Sequence, residues 1–103
     1  MEKFKAHILV VDDDDGIREL VKEYLSQNEY LVTSSNSAED ALEKVKIIKF
    51  DLIVLDIMMP GINGITFLKR FREKNQTTPV LMLSAIKNTN SKIKTFNLVE
   101  IMF

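Results

Sequence analysis

Three aliphatic runs, each too short for an ordinary helix, end on side chains that carry oxygen. Ile8-Leu9-Val10-Val11 runs into Asp12, Asp13, Asp14 and Asp15, Leu52-Ile53-Val54-Leu55 into Asp56, and Val80-Leu81-Met82-Leu83 into Ser84. Apolar runs of this length without alternation read as strands covered on both faces, the pattern of a parallel sheet. Were the three strands parallel, their carboxylates and hydroxyl would converge on one edge, facing the crevice where open α/β sheets bind ligands. Beyond Asp56, Pro60 fixes φ while Gly61 and Gly64 permit φ > 0. Residues 57–64 are therefore expected to form a loop before a helix that begins near Ile65.

Helical spacing fills the gaps between the runs. Ile17, Leu20, Val21, Tyr24 and Leu25 recur at i, i+3, i+4, i+7 and i+8 behind a cap at Asp14 or Asp15. Acidic residues there also complement the helix dipole, a structural use unrelated to chemistry. Tyr30–Thr33 reads as a second strand. Ser37 then opens a capping sequence closed by Asp40, with Ala38, Ala41, Leu42 and Val45 on the apolar face of a helix ending near Lys49. Ile65, Phe67, Leu68 and Phe71 mark a third helix, followed by a polar linker over residues 75–78. The order β-α-β-α-β-α-β, with connections long enough for right-handed crossovers, predicts one domain with a doubly wound parallel α/β sheet. From Lys87 onward the pattern is ambiguous. Ser91 is a candidate N-cap with Ile93 and Phe96 at helical spacing, and residues 98–103 fit a strand as well as a helix end.

Composition narrows the classes. The chain has 103 residues and a formal net charge of −1, with no basic run longer than a pair, so it carries no electrostatic footprint for nucleic acid or an anionic membrane. It has no cysteine, hence no disulfide framework or thiolate metal site. No apolar run approaches the ~20 residues of a bilayer span, and the first residues lack a signal-peptide core. A cytoplasmic location is expected.

The chemistry open to such an edge is specific. An aspartate pair opposite a third aspartate offers the hard oxygen donors that Mg²⁺ prefers, and without a cation the three would repel. With the cation present, Asp56 is a candidate nucleophile toward a phosphoryl group, giving an acyl phosphate, and Ser84 is placed to hydrogen-bond a phosphoryl oxygen. Each piece also has a plainer use: aspartates after strands commonly cap helices, and His7 reads as the first residue of a strand. The five methionines and six phenylalanines read as core filling. An EF-hand is excluded, because its spacing would put Val11 at the first ligand position.

These residues together resemble the receiver domain of bacterial two-component response regulators. The likeness runs to about residue 98, through Ile8–Asp14, Asp56-Ile57-Met58-Met59-Pro60-Gly61-Ile62-Asn63-Gly64 and Leu83-Ser84-Ala85. It implies a flavodoxin-like sheet of order 2-1-3-4-5 and transfer of a phosphoryl group to Asp56 from a sensor histidine kinase. It also implies Mg²⁺ held by Asp12, Asp13, Asp56 and the backbone carbonyl of Met58, with Ser84 as the switch hydroxyl. Such a protein is a stoichiometric phosphoacceptor, at most able to dephosphorylate itself, and not an enzyme.

After a segment like residues 92–98, the family continues into a fifth strand, a Lys-Pro dipeptide and a fifth helix. Here residues 99–103 occupy only the start of that stretch. The expectation is a C-terminally incomplete receiver over residues 1–103, its last strand and helix missing or altered, with Lys87 as a substitute for the phosphate-binding lysine. A sheet edge left open invites a homodimer or domain swap. The output partner is not legible. Two alternatives stand beside this reading: a phosphorylation-incompetent receiver acting by protein contacts, and a phosphohydrolase similar to haloacid dehalogenases that uses Asp12, Asp14 and Ser84.

Overall fold

The computed structural model describes residues 4–57, 59, 61–87 and 94–102, with residues 84–87 and 94–102 described as strand backbone. The elements run β1 (His7–Val11), α1 (Asp15–Gln27), β2 (Leu31–Ser35), α2 (Ala38–Ile47), β3 (Leu52–Asp56), α3 (Gly64–Arg72), β4 (Val80–Lys87) and β5 (Lys94–Met102). They form one sheet of order β2-β1-β3-β4-β5, in which β1 to β4 are parallel and β5 is antiparallel to β4. The doubly wound architecture read from the sequence and the strand order implied by the resemblance are both present.

The unbroken aliphatic runs are explained by cover on two faces. Alternate residues Leu9, Val11, Ile53, Leu55, Val80 and Met82 pack with Ala38 and Ala41 of α2 and Phe67, Leu68 and Phe71 of α3. The intervening Ile8, Val10 and Val54 pack on the other face, where Val21 and Leu25 of α1 lie against them. Each strand thus feeds two layers, so neither set of side chains could be polar.

Caps set the helix starts. The Asp14 carboxylate accepts from the Ile17 amide at 3.0 Å, Ser37 Oγ from Asp40 at 3.1 Å, and Asn63 Oδ1 from Thr66 at 3.0 Å. The first two were readable from the sequence; the Asn63 cap is an addition and places the start of α3 at Gly64. β2 reaches Ser35 rather than stopping at Thr33, because Ser34 and Ser35 pair with Val10 and Val11 along the β1 ladder. His7 is more than a strand's first residue. Its Nε2 lies 2.7 Å from Thr33 Oγ1 and its ring meets Phe50 edge-on at 4.8 Å, contacts that sequence proximity could not reveal.

The largest correction is at the end of the chain. β4 continues past Leu83 to Lys87, and Phe96, read at helical spacing, pairs instead with Ala85 in an antiparallel ladder. Ser91 and Ile93 lie outside the described residues. A strand here pairs the backbone groups on the outer edge of β4, whereas a helix of nine residues would leave them unpaired and would itself be marginal. The register shifts by one between Met82 and Leu83, so that Val99 is extra on β5. The last strand is therefore altered in direction but not in position, and β5 takes over as the outer edge.

Candidate functional site

Two central strands deliver the acidic groups. Val11 pairs with Leu55, so Asp12, the residue after β1, stands abreast of Asp56 at the end of β3. Between these strands the winding of the sheet reverses, since β1 leads outward to β2 and α2 returns the chain to β3 on the opposite side. That is the position at which doubly wound sheets open a crevice. One carboxylate oxygen from each of Asp12, Asp13 and Asp56 lies within 4.8 Å of the others. Asp12 is 5% and Asp56 3% exposed, whereas Asp13 faces solvent.

Backbone contacts fix the turn that carries the first two. The Asp12 amide donates to the Ser35 carbonyl at 3.1 Å, which ties the end of β1 to β2. The Asp14 amide donates to Asp12 Oδ1 at 2.9 Å, and Arg18 Nη1 donates to the Asp12 carbonyl at 2.9 Å. Arg18 escaped the sequence reading. Only its place one turn into α1, where a side chain leans back toward the helix start, could have signalled it.

Asp56 is set by the junction that follows it. The Ile57 amide donates to the Leu83 carbonyl at 3.1 Å and the Gly64 amide to the Ile57 carbonyl at 3.2 Å, closing the loop back onto the strand end. Gly61 has φ +74° and uses the freedom expected of it. Gly64 is needed for a different reason. A Cβ there would lie 2.6 Å from the Asp56 carbonyl oxygen and 2.9 Å from Ile57 Cα, both backbone atoms.

The remaining residues singled out by the sequence are placed less completely. Met58 lies outside the described residues. Ser84 is in the β4 ladder, one residue past the Leu83 that pairs with Asp56, and opposite Asn97. It is within the strand rather than beyond its end. Lys87 closes β4 opposite Lys94, four residues past Leu83 and so about 13 Å farther along the strand.

Three carboxylates, two of them nearly buried and one open to solvent, fit a hard divalent cation such as Mg²⁺, which takes few protein oxygens and keeps several waters. Outside the cluster, the Lys44 ammonium donates to Asp40 at 2.8 Å and holds that carboxyl below its usual range. None of the described helices is long and apolar enough to cross a membrane.

A doubly wound sheet with an acidic pocket at its switch point defines the class of protein. The chain belongs to the response regulator receiver domain family, whose family model matches residues 8–99. It is 41% identical to PetR of Rhodobacter capsulatus over 91% of its own length and 39% of that protein's. It is 38% identical to the transcriptional regulatory protein ResD of Bacillus subtilis over 89% and 38% of the two chains. It thus spans about two-fifths of these relatives. The crystal structure of the response regulator TrrA from Thermotoga maritima, in complex with Mg(2+)-BeF, superposes with a TM-score of 0.73 at 40% identity, covering 76% of this chain and 68% of that one. Receiver domains of this family are signalling proteins of two-component systems.

Proposed function

We propose that Asp56 is the phosphoacceptor of this receiver and that Asp12 and Asp13, with Asp56 itself and the Met58 carbonyl, hold Mg²⁺ beside it. The observation that carries this reading is the convergence of Asp12, Asp13 and Asp56 within 4.8 Å at the ends of adjacent strands. A Mg²⁺ complex of a 40% identical neighbour supports the choice of ion.

In the reaction, an Asp56 carboxylate oxygen attacks the phosphorus of a phosphohistidine on a sensor kinase. The new P–O bond forms as the P–N bond breaks, and the histidine nitrogen leaves with the electron pair. Held by Asp12, Asp13 and Asp56, a divalent cation would supply the positive charge that offsets repulsion between a carboxylate and an incoming phosphoryl group. Ser84 on β4 supplies a hydroxyl to one phosphoryl oxygen, and the altered contacts of β4 are the output, read by a partner protein or domain. Lys87 stands as the proposed cation on the same strand. The domain occupies residues 1–103 as a receiver with an altered C-terminal end, acts in the cytoplasm, and binds no nucleic acid through this chain.

The test is intact-mass analysis after acetyl phosphate and Mg²⁺, with Asp56→Asn and Ser84→Ala as variants and solution size measured in parallel for a homodimer or domain swap. A single phosphoryl adduct lost in Asp56→Asn supports the reading; an adduct retained in that variant sinks it.

A second reading has one specific observation behind it. Lys87, the substitute cation of the first reading, stands at the far end of β4, about 13 Å past the Leu83 that pairs with Asp56, which favours a receiver that works by contacts without phosphorylation. Absence of any adduct on the wild-type chain would select it. The hydrolase alternative draws no support from the family match.

A further inference from the structure

We infer that Arg18 is a positioning residue for the acidic pocket, its guanidinium holding the Asp12–Asp13 turn in the tight geometry that Mg²⁺ requires. This rests on the proposed phosphoacceptor reading.

The placement of Arg18 is locally unfavourable. It sits in the second turn of α1 and its head group reaches back to the helix start, where the dipole favours anions. Sites at which a chain breaks such a rule are commonly functional. Its side chain is only 13% exposed, while that of its ion-pair partner Asp15 is 86% exposed. A pair with so solvated an acid gives little reason to bury a guanidinium. The other fork of the same guanidinium does something more particular, donating to the Asp12 carbonyl at 2.9 Å.

That carbonyl belongs to the peptide joining the two proposed ligands. Asp12 is bonded through its amide to Ser35, through its carboxylate to the Asp14 amide and through its carbonyl to Arg18. Arg18 restrains rotation of the Asp12–Asp13 peptide through its carbonyl, and rotation of that peptide moves the solvent-facing Asp13 relative to the two buried carboxylates. Two opposing effects follow from removing Arg18. Loss of a positive charge near the pocket favours any divalent cation equally, whereas loss of the brace penalises the ion with the stricter geometry. Mg²⁺ demands near-ideal octahedral coordination at short distances; Ca²⁺ accepts longer and irregular sets.

The experiment is titration of the full chain with MgCl₂ and, separately, CaCl₂, following backbone amide shifts of residues 12–16 in wild type, Arg18→Met, Arg18→Lys and Asp13→Asn. Arg18→Met keeps the aliphatic stem and loses the donors. It is expected to weaken Mg²⁺ by about tenfold or more, the effect of removing a group that orients a metal ligand, and Ca²⁺, with its looser coordination, by clearly less. Arg18→Lys, which can still reach the carbonyl with one ammonium, is expected to fall between and reads the same split if Arg18→Met does not fold. Equal changes for the two ions, or tighter Mg²⁺ binding in Arg18→Met, overturn the inference. Wild type binding neither ion, or Asp13→Asn binding as well as wild type, would instead defeat the phosphoacceptor reading, and the inference with it.

Discussion

Substituting Gly64 by alanine tests whether the junction after β3 is set by space rather than by backbone freedom. The added Cβ would lie 2.6 Å from the Asp56 carbonyl oxygen and 2.9 Å from Ile57 Cα, and both contacts are with backbone. To reach an ordinary contact the strand end must retreat by about 0.8 Å. Overpacking of this kind costs about 1–3 kcal/mol, and replacing glycine at a helix start returns at most about 1 kcal/mol. Contacts this close to backbone atoms belong to the upper part of that range, about 2–3 kcal/mol, so the net is about 1–2 kcal/mol of destabilisation, at least about 4 °C in Tm for a domain of this size. Gly16 is the internal control. A Cβ there meets only Asp14 Oδ1, at 3.4 Å, so Gly16→Ala is expected to be stabilising by about 0.4–1 kcal/mol. Thermal and urea unfolding followed by circular dichroism reads both variants. Because the atoms that must move belong to Asp56 and Ile57, Gly64→Ala is also expected to shift the Ile57 amide resonance and to slow acetyl phosphate labelling. A Gly64→Ala protein as stable as wild type would refute the steric reasoning.

Three further outcomes follow from the same structure. Phe67 is fully buried, with its ring stacked on Phe71 at a centroid distance of 5.8 Å, so Phe67→Ala is expected to cost about 3–5 kcal/mol, read as a lower urea midpoint at unchanged slope. The Lys44 ammonium depresses the Asp40 pKa, so this carboxylate adds stability above its unfolded value near 3.9 and loses it as pH falls through the lower folded value. The pair is half-exposed, so Asp40→Asn is expected to cost only about 0.3–0.5 kcal/mol at pH 7, a gap that closes in acid; a gap that persists once the carboxyl is protonated would contradict the assignment. Mg²⁺ at 100 times its Kd is expected to stabilise wild type by about 2.7 kcal/mol and Asp13→Asn hardly at all, as measured by urea unfolding with and without the ion.

What the sequence made legible has a physical pattern. β1 and β3 were readable because burial on both faces forces every residue of each run to be apolar, and Asp12 and Asp56 were readable because they stop those runs. The caps at Asp14 and Ser37 were local and therefore visible. Arg18, His7 and Gly64 were not, since what each does depends on atoms brought close only by folding: the Asp12 carbonyl, the Thr33 hydroxyl and the Asp56 backbone. β2 was placed too early because Ser34 and Ser35 join the sheet through pairing with β1, against their own preference. Residues 94–102 defeated the periodicity argument for a related reason. Phe96 sits at a helical interval from Ile93, but the open edge of β4 offers nine residues a ladder of partners, and tertiary pairing decides the outcome.

The central claim is that Asp56, served by Asp12 and Asp13, accepts a phosphoryl group. Intact mass of the wild-type chain and of Asp56→Asn after acetyl phosphate, with and without Mg²⁺, tests it most directly. The account expects one added phosphoryl group on wild type, dependent on Mg²⁺ and absent from Asp56→Asn. An adduct that forms equally without Mg²⁺, or that survives in Asp56→Asn, would contradict it.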